Sequence, residues 1–182
     1  MKDKPGGDHP IRHYFAEALH DSLNVQLGLK HEDVEAYLCQ MLVEFLHNDG
    51  IFSVRDADGQ RLESVVDMLA EGDVRLNADS FDREREVHRH IGDFLLFWTG
   101  IFPEFLKVLK SPTGKDVLLN PVEQGRFSYH VASTFDHGKY AQEAPVFRKL
   151  SLEFEQYIYG LSLVRASFHG IASTGWRDGF SA

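Results

Sequence analysis

The strongest constraint on the fold is one apolar run, GDFLLFWTGIFPEF, which occupies residues 92–105. Residues 94–98 are apolar at every position, and a helix that is apolar all round lies inside a protein rather than on its surface. Gly100 and Pro103 interrupt the run, because glycine and proline both disfavour a helix interior. The sequence therefore predicts a central hydrophobic helix over about residues 82–99, broken at Gly100 and Pro103.

Gly92 and Asp93 stand within this predicted helix, where each needs a structural reason. A glycine in a helix interior costs about 1 kcal/mol relative to alanine, so we predict that another backbone or an aromatic ring packs against Gly92. Asp93 would then lie beside that partner, and a buried carboxylate needs a donor to offset its desolvation. The candidate donors are an arginine, a backbone N–H, or a side chain of a later helix, namely Tyr129, His130, Tyr157 or Tyr159.

Apolar residues recur at helical spacing along most of the chain, and no series of alternating strands is present. Helices are predicted over residues 11–27, 32–47, 62–72, 82–99, 103–109 and 121–135, and as a last long helix that opens at Pro145. Asp58 and Gly59 form a tight-turn pair that could close a minimal hairpin. The predicted fold class is all-α, an irregular bundle of about six or seven helices.

The length of the chain is consistent with one domain. At 182 residues with 43% hydrophobic content, the chain can bury a core without metals or disulfides. We predict a flexible N-terminal arm over residues 1–10, a single helical domain over residues 11–168 and a Gly- and Ser-rich tail over residues 169–182. Trp176 and Phe180 in that tail are the aromatic residues that could dock on the domain.

Charge and cysteine content restrict the partners and the compartment. The net charge of -9 repels phosphate and anionic lipid, so nucleic acid is not an expected partner. Residues 91–109 form the most apolar stretch, but charged residues and a proline interrupt it, so no membrane span is predicted. Cys39 is the only cysteine, which excludes an internal disulfide and favours a reducing, cytoplasmic location.

Two short motifs resemble a known group of proteins. They are Gly92-Asp93-x-x-Leu96-Phe97-x-x-Gly100-x-Phe102-Pro103 and, upstream, Tyr37-Leu38-x-x-Met41-Leu42-x-x-Phe45. The chain thereby resembles uncharacterised bacterial helical proteins with a GDxxLFxxGxFP-like signature, over roughly residues 10 to 165. That group also carries adjacent tyrosines and a Gly-x-x-Ala-Tyr element, of which only Tyr129 and Ala132 correspond here. The resemblance implies a helical fold and brings no known activity or catalytic residue.

Recurring carboxylates and histidines suggest a metal-dependent enzyme as an alternative function. Glu86, His90 and Asp93 share one stripe of the central helix, because they are separated by four and three residues. Arg85 and Arg89 in the same segment favour ion pairs with these side chains instead of a metal. Two Glu-x-x-His pairs have the spacing used in di-iron carboxylate bundles, which add a glutamate from each of two other helices. The pairs are Glu17 with His20 and Glu44 with His47, and the added glutamates would be Glu86 with Glu153 or Glu155.

The direction of these side chains argues against a di-iron centre. His13, Glu17, His20 and Asn24 form a polar stripe opposite the core positions of the first helix, whereas di-iron ligands must project inward. The alternative enzyme would use Fe, Mn or Zn, and the preferred interpretation predicts no cofactor.

The preferred interpretation is a non-enzymatic binding or interaction module. The aromatic content of 12% makes an exposed apolar patch plausible, and such a patch would contact a protein partner or a second copy in a homodimer. A further alternative is a pocket for a small apolar ligand. Its lining would be the same residues that otherwise fill the core, namely Phe97, Trp98, Tyr129, Phe154 and Tyr157.

Overall fold

The computed structural model describes residues 10–46, 48–109, 115–116 and 118–168. Within these residues the all-α class is confirmed, because 71% are helical and no strand is formed. The expectations for most of the N-terminal arm, for His47 and for the tail with Trp176 and Phe180 fall outside the described residues.

Seven of the α-helices in the described part of the chain have eight residues or more, in agreement with the predicted six or seven. The α-helices are α1 Pro10–Leu19, α2 Glu32–Phe45, α3 Asn48–Ile51, α4 Val65–Gly72, α5 Phe81–Gly100, α6 Leu106–Leu109, α7 Pro121–Ser133, α8 Ala144–Leu152 and α9 Phe154–Ser167. A π-helical segment, His20–Gln26, continues α1, and short 3-10 turns, Pro103–Phe105 and Gly138–Tyr140, precede α6 and α8.

Helix α5 is the centre of the bundle. Its N-terminus is capped by Ser80, whose hydroxyl accepts a hydrogen bond from the backbone N–H of Arg83 at 3.2 Å. Every residue from 90 to 100 is buried, because α4, α7 and α9 all pack against this helix. The all-round apolar run therefore forms the central helix of the core, as the sequence predicts.

The end of α5 lies at the predicted break. Gly100 is its last residue and faces α9, where a Cβ atom on Gly100 would lie 2.6 Å from the Cβ atom of Leu161. Pro103 begins a 3-10 turn, which returns the chain toward the core. The ring of Phe105 then stacks on Trp98 with a centroid distance of 3.8 Å. The glycine thus serves close packing of α9, and the proline starts the turn.

The predicted first helix is not α-helical throughout. The chain becomes π-helical at His20, although the apolar pattern predicted one α-helix over residues 11–27. Leu23 and Leu27 both lie against Gly160 of α9. The π-helical segment therefore packs against α9, and nothing in the local sequence marks the change from α- to π-helix.

The predicted last long helix is two helices. Glu153 has φ -114° and ψ 27°, which lies outside helical geometry, and it separates α8 from α9. The break lets α8 pack against α2 and α7, while α9 packs against α1 and α5. Neither glycine nor proline marks this position, so tertiary packing rather than local sequence divides the helix.

The predicted tight turn at Asp58 and Gly59 lies between α3 and α4. The predicted hairpin is a single antiparallel bridge between Arg55 and Arg61, with Gly59 at φ 78° in its turn. Among the helices that the structure describes, none combines the length and the apolar character needed to cross a bilayer.

Candidate functional site

The most unusual polar group in the core is the carboxylate of Asp93, which is only 1% exposed. Tyr37 of α2 donates its hydroxyl to both carboxylate oxygens, at 2.7 and 2.8 Å. Tyr129 of α7 donates to Oδ1 at 2.7 Å, and Arg89 of α5 donates to Oδ2 at 3.2 Å. The carboxylate of Asp93 therefore joins three helices through charged and hydroxyl hydrogen bonds.

Burial dominates the electrostatics of this cluster. It raises the pKa of Asp93 to about 6, although Arg89 and the two tyrosine hydroxyls act in the opposite direction. The pKa values of Tyr37 and Tyr129 are raised well above the usual range by burial and by the neighbouring Asp93. Both tyrosines therefore remain protonated hydrogen-bond donors at neutral pH.

Gly92 and Asp93 are explained by the same neighbour. A Cβ atom on Gly92 would lie 2.6 Å from Cδ1 of Tyr129, so the bare glycine allows the ring to pack flat against α5. The hydroxyl of that ring then reaches Asp93. Tyr129 is one of the donors that the sequence suggested, whereas Tyr157 bonds to Glu153 and both Tyr159 and His130 are exposed.

A line of alternating charges extends from Asp93 to the surface. Arg89 also donates from Nε to Glu86 at 3.1 Å, and Glu86 pairs in turn with Arg85. Arg85 is 1% exposed and pairs with Glu143, which follows α7 in the chain, at 2.5 Å. We refer to Asp93, Arg89, Glu86, Arg85 and Glu143 as the ion-pair chain.

Two aromatic rings lie against the buried guanidinium of Arg85 in the ion-pair chain. The guanidinium of Arg85 lies 3.8 Å from the ring centroid of Tyr140 and 5.3 Å from that of Phe147. Phe147 also stacks on Tyr129, with a centroid distance of 5.9 Å. Cation–π contacts of this kind stabilise a guanidinium that burial would otherwise disfavour.

The structure separates the three suggested ligands of the central helix. Glu86 and Asp93 both bind Arg89, so a guanidinium lies between their carboxylates. His90 packs against the rings of Phe45 and Phe94 instead, and its Nδ1 lies 3.0 Å from Ser53 Oγ. Among the described residues, no group of three histidine, cysteine or carboxylate side chains is arranged to hold a metal ion.

Two buried histidines on α5 have altered pKa values. Burial, together with the charge of Arg89, lowers the pKa of His90 to about 4. Burial also lowers the pKa of His88, against the influence of Asp73. Both side chains are therefore neutral at neutral pH.

The Glu-x-x-His residues likewise lie apart from one another. Glu17 is exposed and pairs with His13 at 3.2 Å, and His20 pairs with Glu35 at 3.1 Å. Glu44 is exposed and accepts a hydrogen bond from Gln40. Glu153 accepts a hydrogen bond from Tyr157, and Glu155 is exposed. Among the described residues these side chains thus have separate partners and form no common metal site.

The aromatic residues suggested for a ligand pocket lie in the packed core. Phe97 and Trp98 contact each other on α5 with a centroid distance of 5.1 Å, and Tyr129 contacts Phe154 at 6.0 Å. Tyr157 is also fully buried. An open groove near the start of α7 has other residues as its lining, namely Thr99, Leu106, Lys107, Asn120, Pro121 and Val122.

The ion pairs of Arg85 and Arg89 within α5 agree with the pairing expected for this segment. Two other members of the site were not predicted from the sequence. Tyr37 occurs in the upstream motif, but no pattern indicates that its hydroxyl donates to Asp93. Glu143 lies 58 residues from Arg85, and no local pattern pairs them.

Exposed apolar side chains occur at the start of α5, in the connection before it and on α7. Leu76 and Phe81 are each 68% exposed, and Phe81 shares a helical face with His88 seven residues later. The ring of Phe127 in α7 lies 6.0 Å from that of His88. Val74 is also exposed, and we call Val74, Leu76, Phe81 and Phe127 the His88 face.

The start of the α4–α5 connection, residues 73–80, lies close to α5, because the charge of Asp73 acts on His88. A Cβ atom on Gly72 would lie 2.8 Å from Val87 Cγ1, so the connection begins in contact with α5 beside His88. Arg75 pairs with Asp73 at 2.7 Å, and its charge also interacts with that of Glu84. Charged side chains of both signs therefore accompany the apolar ones in this part of the chain.

Comparison with known proteins adds no function: no protein-family model, curated protein or solved structure matches this chain.

Proposed function

We propose that this protein is a non-enzymatic binding module of the cytoplasm and that the His88 face contacts a protein partner. The observation that carries the proposal is the exposure of Leu76, Phe81 and Phe127, of which Phe81 lies on the helical face of His88 and Phe127 contacts the His88 ring. A contiguous apolar patch with a polar rim is typical of a protein interface.

Burial of the exposed apolar side chains would supply enough free energy for specific binding. Burial of one large apolar side chain contributes roughly 1.5–3 kcal/mol, so Leu76, Phe81 and Phe127 together could stabilise a complex substantially. Arg75 and Glu84 would add orientation through charge pairing rather than much affinity.

The buried polar cluster supports a structural role for the residues that might otherwise perform chemistry. Tyr37, Tyr129 and Arg89 all direct their donors to Asp93, so these hydrogen bonds connect α2, α5 and α7. A preorganised catalytic site would direct such groups toward a cleft instead.

Site-specific photo-crosslinking tests the proposal. We would place a benzoylphenylalanine at Phe81 and, as a matched control, at Tyr159, an exposed aromatic residue of α9, in the full chain within cells that express it. We expect a discrete covalent adduct with a protein, or with a second copy of this chain, from position 81 only. Substitution Leu76→Ser in the Phe81 crosslinker background should reduce the yield several-fold, since it removes a neighbouring apolar contact.

The result would contradict the proposal if position 81 gave no discrete adduct or gave the same adducts as position 159. Sedimentation equilibrium of the purified chain then distinguishes the two kinds of partner. A concentration-dependent dimer that Leu76→Ser weakens identifies a second copy, whereas a monomer that crosslinks in cells identifies another protein.

A further inference from the structure

The ion-pair chain connects a buried carboxylate with the surface connection between α7 and α8, residues 134–143. Successive partners lie within hydrogen-bonding distance: Asp93 to Arg89 at 3.2 Å, Arg89 to Glu86 at 3.1 Å and Arg85 to Glu143 at 2.5 Å. Glu86 contacts both arginines and joins the two halves. A change of charge at Asp93 therefore has a continuous path to Glu143.

The balance of charge along the chain depends on Asp93. When Asp93 is ionised, three carboxylates share two guanidinium groups, and the chain carries one excess negative charge. Glu143 is 55% exposed and water solvates it readily, so it is the carboxylate that the arginines hold least firmly. When Asp93 is protonated, two carboxylates balance two cations, and the fully buried Arg85 then depends on Glu143.

We propose that proton binding to Asp93 tightens the attachment of the α7–α8 connection to α5 through the ion-pair chain. The connection would be held closely when Asp93 is neutral and more loosely when Asp93 is ionised. The protein would thereby respond to acidification by ordering one surface segment, a property beyond the proposed binding function.

Other charged groups face the two ends of the chain. Asp93 is surrounded by Tyr37 and Glu44 from α2, Arg89 from α5 and Tyr129 from α7, and burial raises its pKa to about 6. At the surface end, Lys139 pairs with Asp82 at 2.7 Å, and His137 pairs with Asp136. His137 lies in the connection itself, so any direct effect of its protonation must be separated from that of Asp93.

Amide hydrogen exchange of residues 138–143, the part of the connection that ends at Glu143, tests the proposal in the full chain. We would compare the wild type with Asp93→Asn, which is neutral at every pH, at about pH 5 and about pH 8. The ratio of the two exchange rates cancels the intrinsic pH dependence and the contribution of His137. We expect a ratio near one at the lower pH and several-fold faster exchange of the wild type at the higher pH. An equal ratio at both pH values would overturn the proposal.

A second pair of variants keeps the proposal testable if Asp93→Asn does not fold. Glu143→Gln removes the surface end of the chain, and Glu155→Gln removes an exposed charge of α9 as a matched control. We expect Glu143→Gln to speed exchange of the connection several-fold at about pH 5, where Glu143 holds it, and much less at about pH 8. Glu155→Gln should change neither rate. An equal effect of Glu143→Gln at both pH values would show that the ion-pair chain transmits nothing.

Discussion

Gly92 leaves space for the ring of Tyr129, and Asp93 accepts the hydrogen bond that the same ring donates. Either residue alone would be unfavourable at this position, because glycine weakens a helix and burial disfavours a carboxylate. The two residues are adjacent in the sequence because the ring of Tyr129 packs against Gly92 and its hydroxyl donates to Asp93. Close packing and polar satisfaction are thus parts of a single contact between α5 and α7.

Substitution Gly92→Ala tests this contact. The added methyl group would gain about 1 kcal/mol of helix propensity, but it must displace a buried, hydrogen-bonded ring that lies less than 3 Å away. Overpacking of this kind costs typically 1–3 kcal/mol, so we expect a net loss of unfolding free energy of up to about 2 kcal/mol. Urea denaturation measures the change.

The double variant Gly92→Ala/Tyr129→Ala provides the control for that experiment. Without the ring, alanine at position 92 should be neutral or slightly stabilising relative to Tyr129→Ala alone, because only helix propensity remains. A loss of the same size in both backgrounds would mean that the ring of Tyr129 is not the cause.

The sequence predicts which kinds of residue contact Gly92 and Asp93, but not which individual residues they are. Helical position and the expense of a mid-helix glycine predict a close aromatic neighbour and a donor for Asp93. Tyr129 was among four suggested donors, but Tyr37 was not among them, because its hydroxyl reaches Asp93 across 56 residues of sequence. The identity of such a partner depends on how α2 and α7 are placed against α5.

At the scale of the elements, the N-terminus of α4 is fixed by a carboxylate from a distant part of the sequence. Ser64 caps its N-terminus, and Asp116 accepts hydrogen bonds from the hydroxyl of Ser64 and from the backbone N–H groups of Val65 and Val66, each at 3.0 Å. Asp116 is buried, and its negative charge interacts favourably with the positive end of the helix dipole. One carboxylate thus fixes the start of α4.

Substitution Asp116→Asn should destabilise this helix. The amide removes the charge and replaces one acceptor oxygen with donors that face backbone N–H groups, so we expect a loss of about 1–3 kcal/mol. Exchange of the Val65 and Val66 amides should become faster as well. Thermal unfolding together with amide exchange measures both effects.

Lys115→Met serves as the neighbouring control for Asp116→Asn. It removes an exposed ion pair with Asp67, and such surface pairs contribute about 0–1 kcal/mol. Equal effects of the two substitutions would indicate that position 116 acts through general charge rather than as a helix cap.

Element boundaries show where local sequence is sufficient and where it is not. Ser80 and Pro103 carry recognised start signals, and α5 and the turn after it begin where these signals predict. Glu153 carries none, and the division between α8 and α9 was missed. The break is favoured because two short helices can contact different neighbours, which is information that the local pattern lacks.

At the scale of the whole molecule, two buried groups have opposite effects on the pH dependence of stability. Burial raises the pKa of Asp93 to about 6, so the stability it contributes is present at low pH and is lost as pH rises through about 6. Burial lowers the pKa of His90 to about 4, so its contribution is present above about pH 6.5 and is lost as pH falls toward about 4. The two effects nearly offset each other between about pH 4 and pH 6.

Single substitutions should reveal the two effects separately. In Asp93→Asn, the unfolding free energy should rise from about pH 4.5 to 6.5 by roughly 2–3 kcal/mol more than in the wild type, since the effect of His90 is no longer offset. In His90→Leu, it should fall relative to the wild type over the same range by a similar amount. Urea denaturation at several pH values gives these slopes, and parallel curves for all three proteins would show that neither group titrates as described.

The sequence by itself determined the all-α class, the central position of the run 92–105 and the start and end of α5, because apolar periodicity, caps and helix breakers act over a few residues. The tertiary structure decided which tyrosines meet Asp93, which carboxylates meet Arg85 and where the chain divides α8 from α9. These features depend on contacts between residues far apart in the chain, and such contacts are set by the packing of whole helices. Local pattern shows that a buried carboxylate needs partners, and only the assembled bundle supplies them.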